Sequence, residues 1–187
     1  MTPHVAHRVL ALAAVFCLAA CSAGEAAPRT SQDGPLSIGT NEDGPVGNHI
    51  CAPLPAKGAE VNFAGDIANP TKSPARILAV ELVDSVNTKA EAVRAWDRRK
   101  SDGEFYWSDM QSDGDKAYAK LFSVLEPGVG YIVGPGQAAG VAVRATVTST
   151  GADVTVARLL IRYELEGTEY AEVTDVDYEL NPGGCGP

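Results

Sequence analysis

Histidine is scarce in this chain of 187 residues: there are three, His4, His7 and His49. Methionine is scarcer, with only Met1 and Met110, which excludes a methionine-rich copper site. Basic charge is also short. Fifteen Lys and Arg face 24 Asp and Glu, a formal net charge of −9. That balance argues against nucleic acid as a partner, and against an electrostatic grip on anionic lipid headgroups. No apolar run reaches the roughly 18–20 residues that a bilayer core takes. No G-x-S-x-G, H-E-x-x-H, Walker or dinucleotide glycine motif occurs. The usual sequence marks of hydrolases, zinc proteases, nucleotide enzymes and dehydrogenases are therefore missing.

What is present begins at the N-terminus. His4, His7 and Arg8 form a short basic region without an acid, and Val9–Ala20 (VLALAAVFCLAA) is an unbroken apolar run. A run of that length after a basic start is the pattern of an export signal. It ends in Leu18-Ala19-Ala20-Cys21, which resembles the bacterial lipobox. The resemblance implies that residues 1–20 are a lipoprotein signal peptide, cleaved before Cys21, and that the Cys21 thiol carries the lipid. Two or more acyl chains give stable membrane anchoring where one gives only marginal binding. The plainer alternative is an ordinary secretory signal cut nearby, after Ala23, with Cys21 incidental. Anchorage places the chain on the outer face of the plasma membrane of a Gram-positive cell. In a two-membrane cell, Ser22 is compatible with sorting to the outer membrane. The Ala/Gly/Val/Asp/Arg bias is that of a high-GC genome such as an actinobacterium.

Removing the signal changes the inventory. Arg8 goes, leaving 14 basic residues against 24 acidic, a net of about −10. His4 and His7 go too, so His49 is the one mature histidine. A three-histidine metal site is excluded, and a Ser-His-Asp triad would have to use His49, beside a segment too polar to hold a base rigidly. Cys17 leaves with the signal and Cys21 takes the lipid, which leaves Cys51 and Cys185. In an oxidising compartment these two are expected to form a disulfide. The alternative, a metal or redox site with His49 as the nearby soft ligand, lacks C-x-x-C spacing.

The stretch 21–48 is rich in Gly, Pro, Ser, Asp and Ala and reads as a flexible tether, followed by a domain over 49–187. In that domain the pattern is β. Val61, Phe63 and Ile67 punctuate Glu60–Ala68, before Asn69-Pro70 breaks the run. Leu78, Val80 and Leu82 alternate with Ala79 and Glu81, and Val141, Val143, Ala145 and Val147 alternate with Ala142, Arg144 and Thr146. Leu159, Ile161, Tyr163 and Leu165 form another apolar face. Glu166-Gly167 turns the chain into one return strand carrying Tyr170, Thr174, Val176 and Tyr178, stopped by Asn181-Pro182-Gly183-Gly184. Ala90–Trp96 and Lys116–Phe122 each have room for a helical turn. Short alternating strands spaced by Gly/Pro turns predict an all-β, antiparallel β-sandwich. Glu126-Pro127-Gly128 and Pro135-Gly136 before the strand at Val141 resemble the turn-then-strand usage of immunoglobulin-like modules in bacterial surface proteins. The resemblance implies an immunoglobulin-like sandwich.

Two acidic patterns lead nowhere. Asp109 to Gly114 looks like the start of an EF-hand loop, but Gln111 stands at the third position and Lys120 where a bidentate Glu is required. With 24 acids some pair always falls at a glycosidase spacing, so that spacing carries no information. No catalytic set and no cofactor are expected. The segment Trp96–Phe122 holds half the chain's aromatics, set among charges. Trp96, Phe105, Tyr106, Trp107 and Tyr118 are the candidate interaction surface, with core packing of the rings as the competing expectation. The chain is thus expected to be a non-catalytic envelope lipoprotein. It would meet the membrane through its lipid, and bind an envelope protein or cell-wall component through its sandwich. The alternative is a small-ligand or metal-ion carrier at the cell surface.

Overall fold

The computed structural model describes residues 29–30, 34–39, 48–100 and 125–185. The described chain is an all-β sandwich whose strand pairings are antiparallel but for two. One sheet contains β1 (Arg29–Thr30), β12 (Thr168–Val173), β11 (Arg158–Leu165), β5 (Ala75–Val83) and β8 (Ile132–Val133), in that order. The other contains β2 (Ser37–Ile38), β4 (Glu60–Ala68), β9 (Ala138–Val147), β6 (Thr88–Asp97) and β7 (Glu126–Pro127). A smaller sheet joins β10 (Val154–Val156), β13 (Val176–Asn181) and β3 (Asn48–Pro53).

Period-two alternation builds the core. Val61, Phe63 and Ile67 of β4 and Val141, Val143, Ala145 and Val147 of β9 are fully buried. They meet Leu159, Ile161 and Tyr163 of β11 from the facing sheet, so both inner faces are lined by the alternate positions of their strands. Phe63 and Tyr178 pack edge to face, centroids 5.3 Å apart. Burying this much β-branched and aromatic surface is the dominant favourable term in folding.

Three local expectations need correction. Ala90–Trp96 is not helical: it lies within β6, whose pairing with β9 slips by one residue between Ala90 and Ala92. That bulge breaks the period-two alternation and produces the spacing that suggested a helical turn. In β5 the buried residues are Ala75, Ile77 and Val80, with Leu78 and Leu82 only half-buried, because the register against β11 also shifts there. The single return strand is two strands. β12 pairs with β11, while β13 crosses to the small sheet and runs parallel to β3. Thr174, fully buried between them, turns the corner: its hydroxyl accepts the Leu159 N–H at 2.9 Å, and its own N–H donates to the Leu159 carbonyl at 2.9 Å.

The stretch expected to be a tether also contains ordered structure. Ser37 and Ile38 pair with Ala68 and Ile67 of β4, and Leu36, 4% exposed, belongs to the core. The physical reason is local: Leu36 and Ile38 are two of the three large aliphatics in the stretch, Val46 being the third, and β4 offers them an edge. Upstream, Arg29 and Thr30 run parallel to β12.

Candidate functional site

Cys51 and Cys185 stand bonded, Sγ–Sγ 2.07 Å, joining the small sheet to the C-terminal end of the described chain. Two residues before Cys51, on the same face of β3, is His49. Parallel pairing sets His49 opposite Asp177 and Cys51 opposite Glu179. His49 Nδ1 meets the Asp177 carboxylate, and Nε2 lies 3.3 Å from Glu179 Oε2. Its pKa is raised, chiefly by the hydrogen bond to Asp177; burial opposes this, and the charges of Asp177 and Glu179 add smaller raising effects.

That geometry favours imidazolium and little else. Both ring nitrogens face carboxylates, so neither is aimed at a hydroxyl or thiol nucleophile. The carboxylates lie on opposite ring nitrogens and so do not converge with the imidazole on one point. Among the described residues no group of three or more His, Cys, Asp or Glu is placed to hold a metal ion.

Trp96 does not form an open contact surface. It is 9% exposed and lies on the outer face of the β4–β9–β6 sheet, directly opposite Gly140 of β9. A Cβ on Gly140 would come within 2.1 Å of the indole, so the missing side chain is what lets the ring lie on the backbone. Ala142, Ala64, Ala92 and Leu125 complete the packing. Beside it Arg98 Nη1 bonds Asp66 Oδ2 at 2.8 Å, and burial raises the Asp66 pKa against the lowering effect of Arg98. Phe105, Tyr106, Trp107 and Tyr118, like Lys116–Phe122 and Cys21, lie outside the described residues.

The sandwich is closed on its two sides by chain that passes from sheet to sheet. On one side, the N-terminal strap runs from β1 on the first sheet to β2 on the second. There Tyr163 donates from its hydroxyl to Glu172, a carboxyl only 1% exposed, and the Leu36 main chain bonds the same hydroxyl. Burial first, then Glu172, pushes the Tyr163 pKa far above the ordinary tyrosine value. Tyr170 stacks on Tyr163 at 5.3 Å. Gly34 lies over the pair: a Cβ there would sit 1.7 Å from Glu172 Oε1.

On the other side, Glu126–Val133 passes from β7 to β8. Gly128 N–H donates to the Val93 carbonyl at 3.1 Å, and Ile77 N–H to the Tyr131 carbonyl at 2.9 Å. Asn69, 1% exposed, fixes the floor: its Nδ2 donates to the Val133 carbonyl at 2.8 Å and its N–H to the Gln137 carbonyl at 2.9 Å. Here a groove of about 470 Å³ opens beside Glu126, Tyr131 and Gln137. Val129 and Ile132 on its rim are 57% and 50% exposed. With Val86 they are the exposed large aliphatics among the described residues, and these two stand together. Sequence patterning missed this edge, because Val129 and Ile132 sit between turns with no alternation to reveal which way they face.

No protein-family profile matches the chain, and no curated protein matches it. Among solved structures it is similar to the Vibrio cholerae VesB protease, at 7% identity and a TM-score of 0.40, over 79% of this chain and 32% of the protease. The chain thus spans about a third of that protein. It is also similar to the ASH/PapD-like domain 7 of human CEP192, at 8% identity and a TM-score of 0.38, over 95% of this chain and 97% of that domain.

Proposed function

We propose that the chain is a membrane-anchored cell-envelope lipoprotein whose β-sandwich is a non-catalytic binding module. The observation that carries this reading is Leu18-Ala19-Ala20-Cys21 directly after an apolar run of export length. Supporting it, Cys51 and Cys185 are paired in the way an oxidising, extracytoplasmic compartment maintains. The one described histidine is held between two carboxylates, with no nucleophile aimed at by either nitrogen. The partner is an envelope protein or cell-wall component, and the lipid supplies the contact with the membrane. The net negative charge makes nucleic acid a poor partner.

Among the described residues the groove beside Val129 and Ile132 is the favoured contact face, in place of the buried Trp96. Exposed aliphatics rimmed by polar groups are what a recognition patch presents. The anchoring half is tested by detergent phase partition of the full chain expressed in a bacterium. Wild type is expected in the detergent phase and Cys21→Ala in the aqueous phase. Equal partition of the two would refute lipidation at Cys21.

A further inference from the structure

We infer that the N-terminal strap is a stop in the leash: it docks the membrane tether to one chosen edge of the sandwich and so sets the height and orientation of the anchored domain. The inference rests on the anchoring reading above and deepens it.

The strap is seated by contacts of different kinds. Leu36 is buried in the core and Ser37-Ile38 extend the second sheet by a strand. Gly39 N–H donates to the Asp66 carbonyl at 3.1 Å, continuing the pairing by one residue. Gly34 passes so close to Glu172 that any larger residue collides with it. Glu172 cannot swing away cheaply, because it is fully enclosed and bonded to Tyr163. β1 adds a two-residue pairing to β12 on the same side of the molecule. A tether with no role beyond length would need none of these contacts.

The consequence is geometric. Counted from Cys21, the docked chain first meets the domain at Arg29, with seven residues (22–28) between, a reach of at most roughly 25 Å. With the strap released, the first described pairing becomes that of Asn48 at the start of β3, with 26 residues (22–47) between, a reach of at most roughly 90 Å. Strand order fixes what points the other way. β1 and β2 end their sheets on one side and β8 and β7 on the other, about four strand spacings or roughly 19 Å away. The strap therefore holds its own edge nearest the bilayer and turns the Val129–Ile132 edge outward.

The test uses the full lipidated chain in phosphatidylcholine vesicles. A fluorescent amino acid is incorporated at position 129 and an acceptor dye placed on the lipid headgroups. Gly34→Val and Leu36→Ser are two independent ways to undock the strap, and amide exchange at Gly39 reports whether they do. Both variants are expected to lose Gly39 protection, to keep a cooperative thermal transition, and to broaden the distribution of donor–headgroup distances, because position 129 is then no longer held on the side of the domain away from the bilayer. An unchanged distance distribution with the strap released overturns the inference. So does a Gly39 amide that stays protected in both variants. A wild-type chain that never joins the vesicles is a different result: it removes the anchor itself, and the inference falls with it.

Discussion

The two sides of the sandwich solve one problem with opposite chemistry. Each closes the gap between two sheets with chain that crosses from one to the other. The strap side does it by burial: Leu36 enters the core, and a carboxyl–phenol pair, Glu172 and Tyr163, lies sealed beneath a glycine. The Glu126–Val133 side also sends Tyr131 and Val133 into the core, but its turn is held by main-chain bonds to Val93 and Ile77 that leave Val129 and Ile132 in solvent. A buried polar pair is costly unless satisfied, so the strap side is specified tightly and tolerates little. The open side has its backbone requirement met independently of its side chains. Its surface is therefore free to serve recognition.

The comparison can be broken first by removing the staple common to both. Cys51→Ala with Cys185→Ala opens a loop spanning 134 residues and is expected to cost about 4–5 kcal/mol in denaturant unfolding, with neither edge altered directly. Leu36→Ala attacks the strap side alone and should cost about 2–3 kcal/mol, at the low end for a core leucine because the strap can let go rather than keep a cavity. A loss no larger than that of a surface substitution would show that the strap is not part of the folded unit.

The His49 clamp separates the small sheet from both edges. Its folded pKa is raised, so its stabilising contribution is complete below the unfolded value near 6.5 and is lost as pH rises through the folded pKa. The imidazole is half exposed, so the effect should stay below about 1 kcal/mol. The melting temperature of wild type should exceed that of His49→Gln at pH 5.5, with the two converging by pH 9. A gap that widens with pH has the wrong sign for this clamp. Smallest in stability is the open edge: Val129→Ser with Ile132→Ser should change unfolding free energy by no more than about 0.5 kcal/mol. The same pair should abolish capture of an envelope partner by the anchored protein.

The core strands were legible in the sequence because their inner positions alternate without interruption: Val61 to Ile67, Val141 to Val147 and Leu159 to Leu165 all face inward. Legibility failed wherever a bulge shifted the phase, as at Ala90–Ala92 and Ile77–Val80, since period two carries no signal across a slipped register. It failed at the strap for another reason. Leu36 and Ile38 in a Gly/Pro-rich stretch are too little for a compositional signal, and their docking depends on a β4 edge supplied by distant sequence. Glu172 showed the same limit: nothing local distinguishes it from the exposed acids until Tyr163 is brought against it. Trp96 fell between these cases, its partner Gly140 being legible only as a break in a strand.

Amide hydrogen exchange on the intact, unsubstituted protein sets the two edges side by side most directly. The amide of Gly39, bonded to Asp66, is expected to exchange only by release of the strap, faster than the core amides of β4 but far more slowly than the Val129 amide, which exchanges by local opening. A Gly39 amide exchanging as fast as that of Val129 would contradict the claim that the chain is fastened on one side and open on the other.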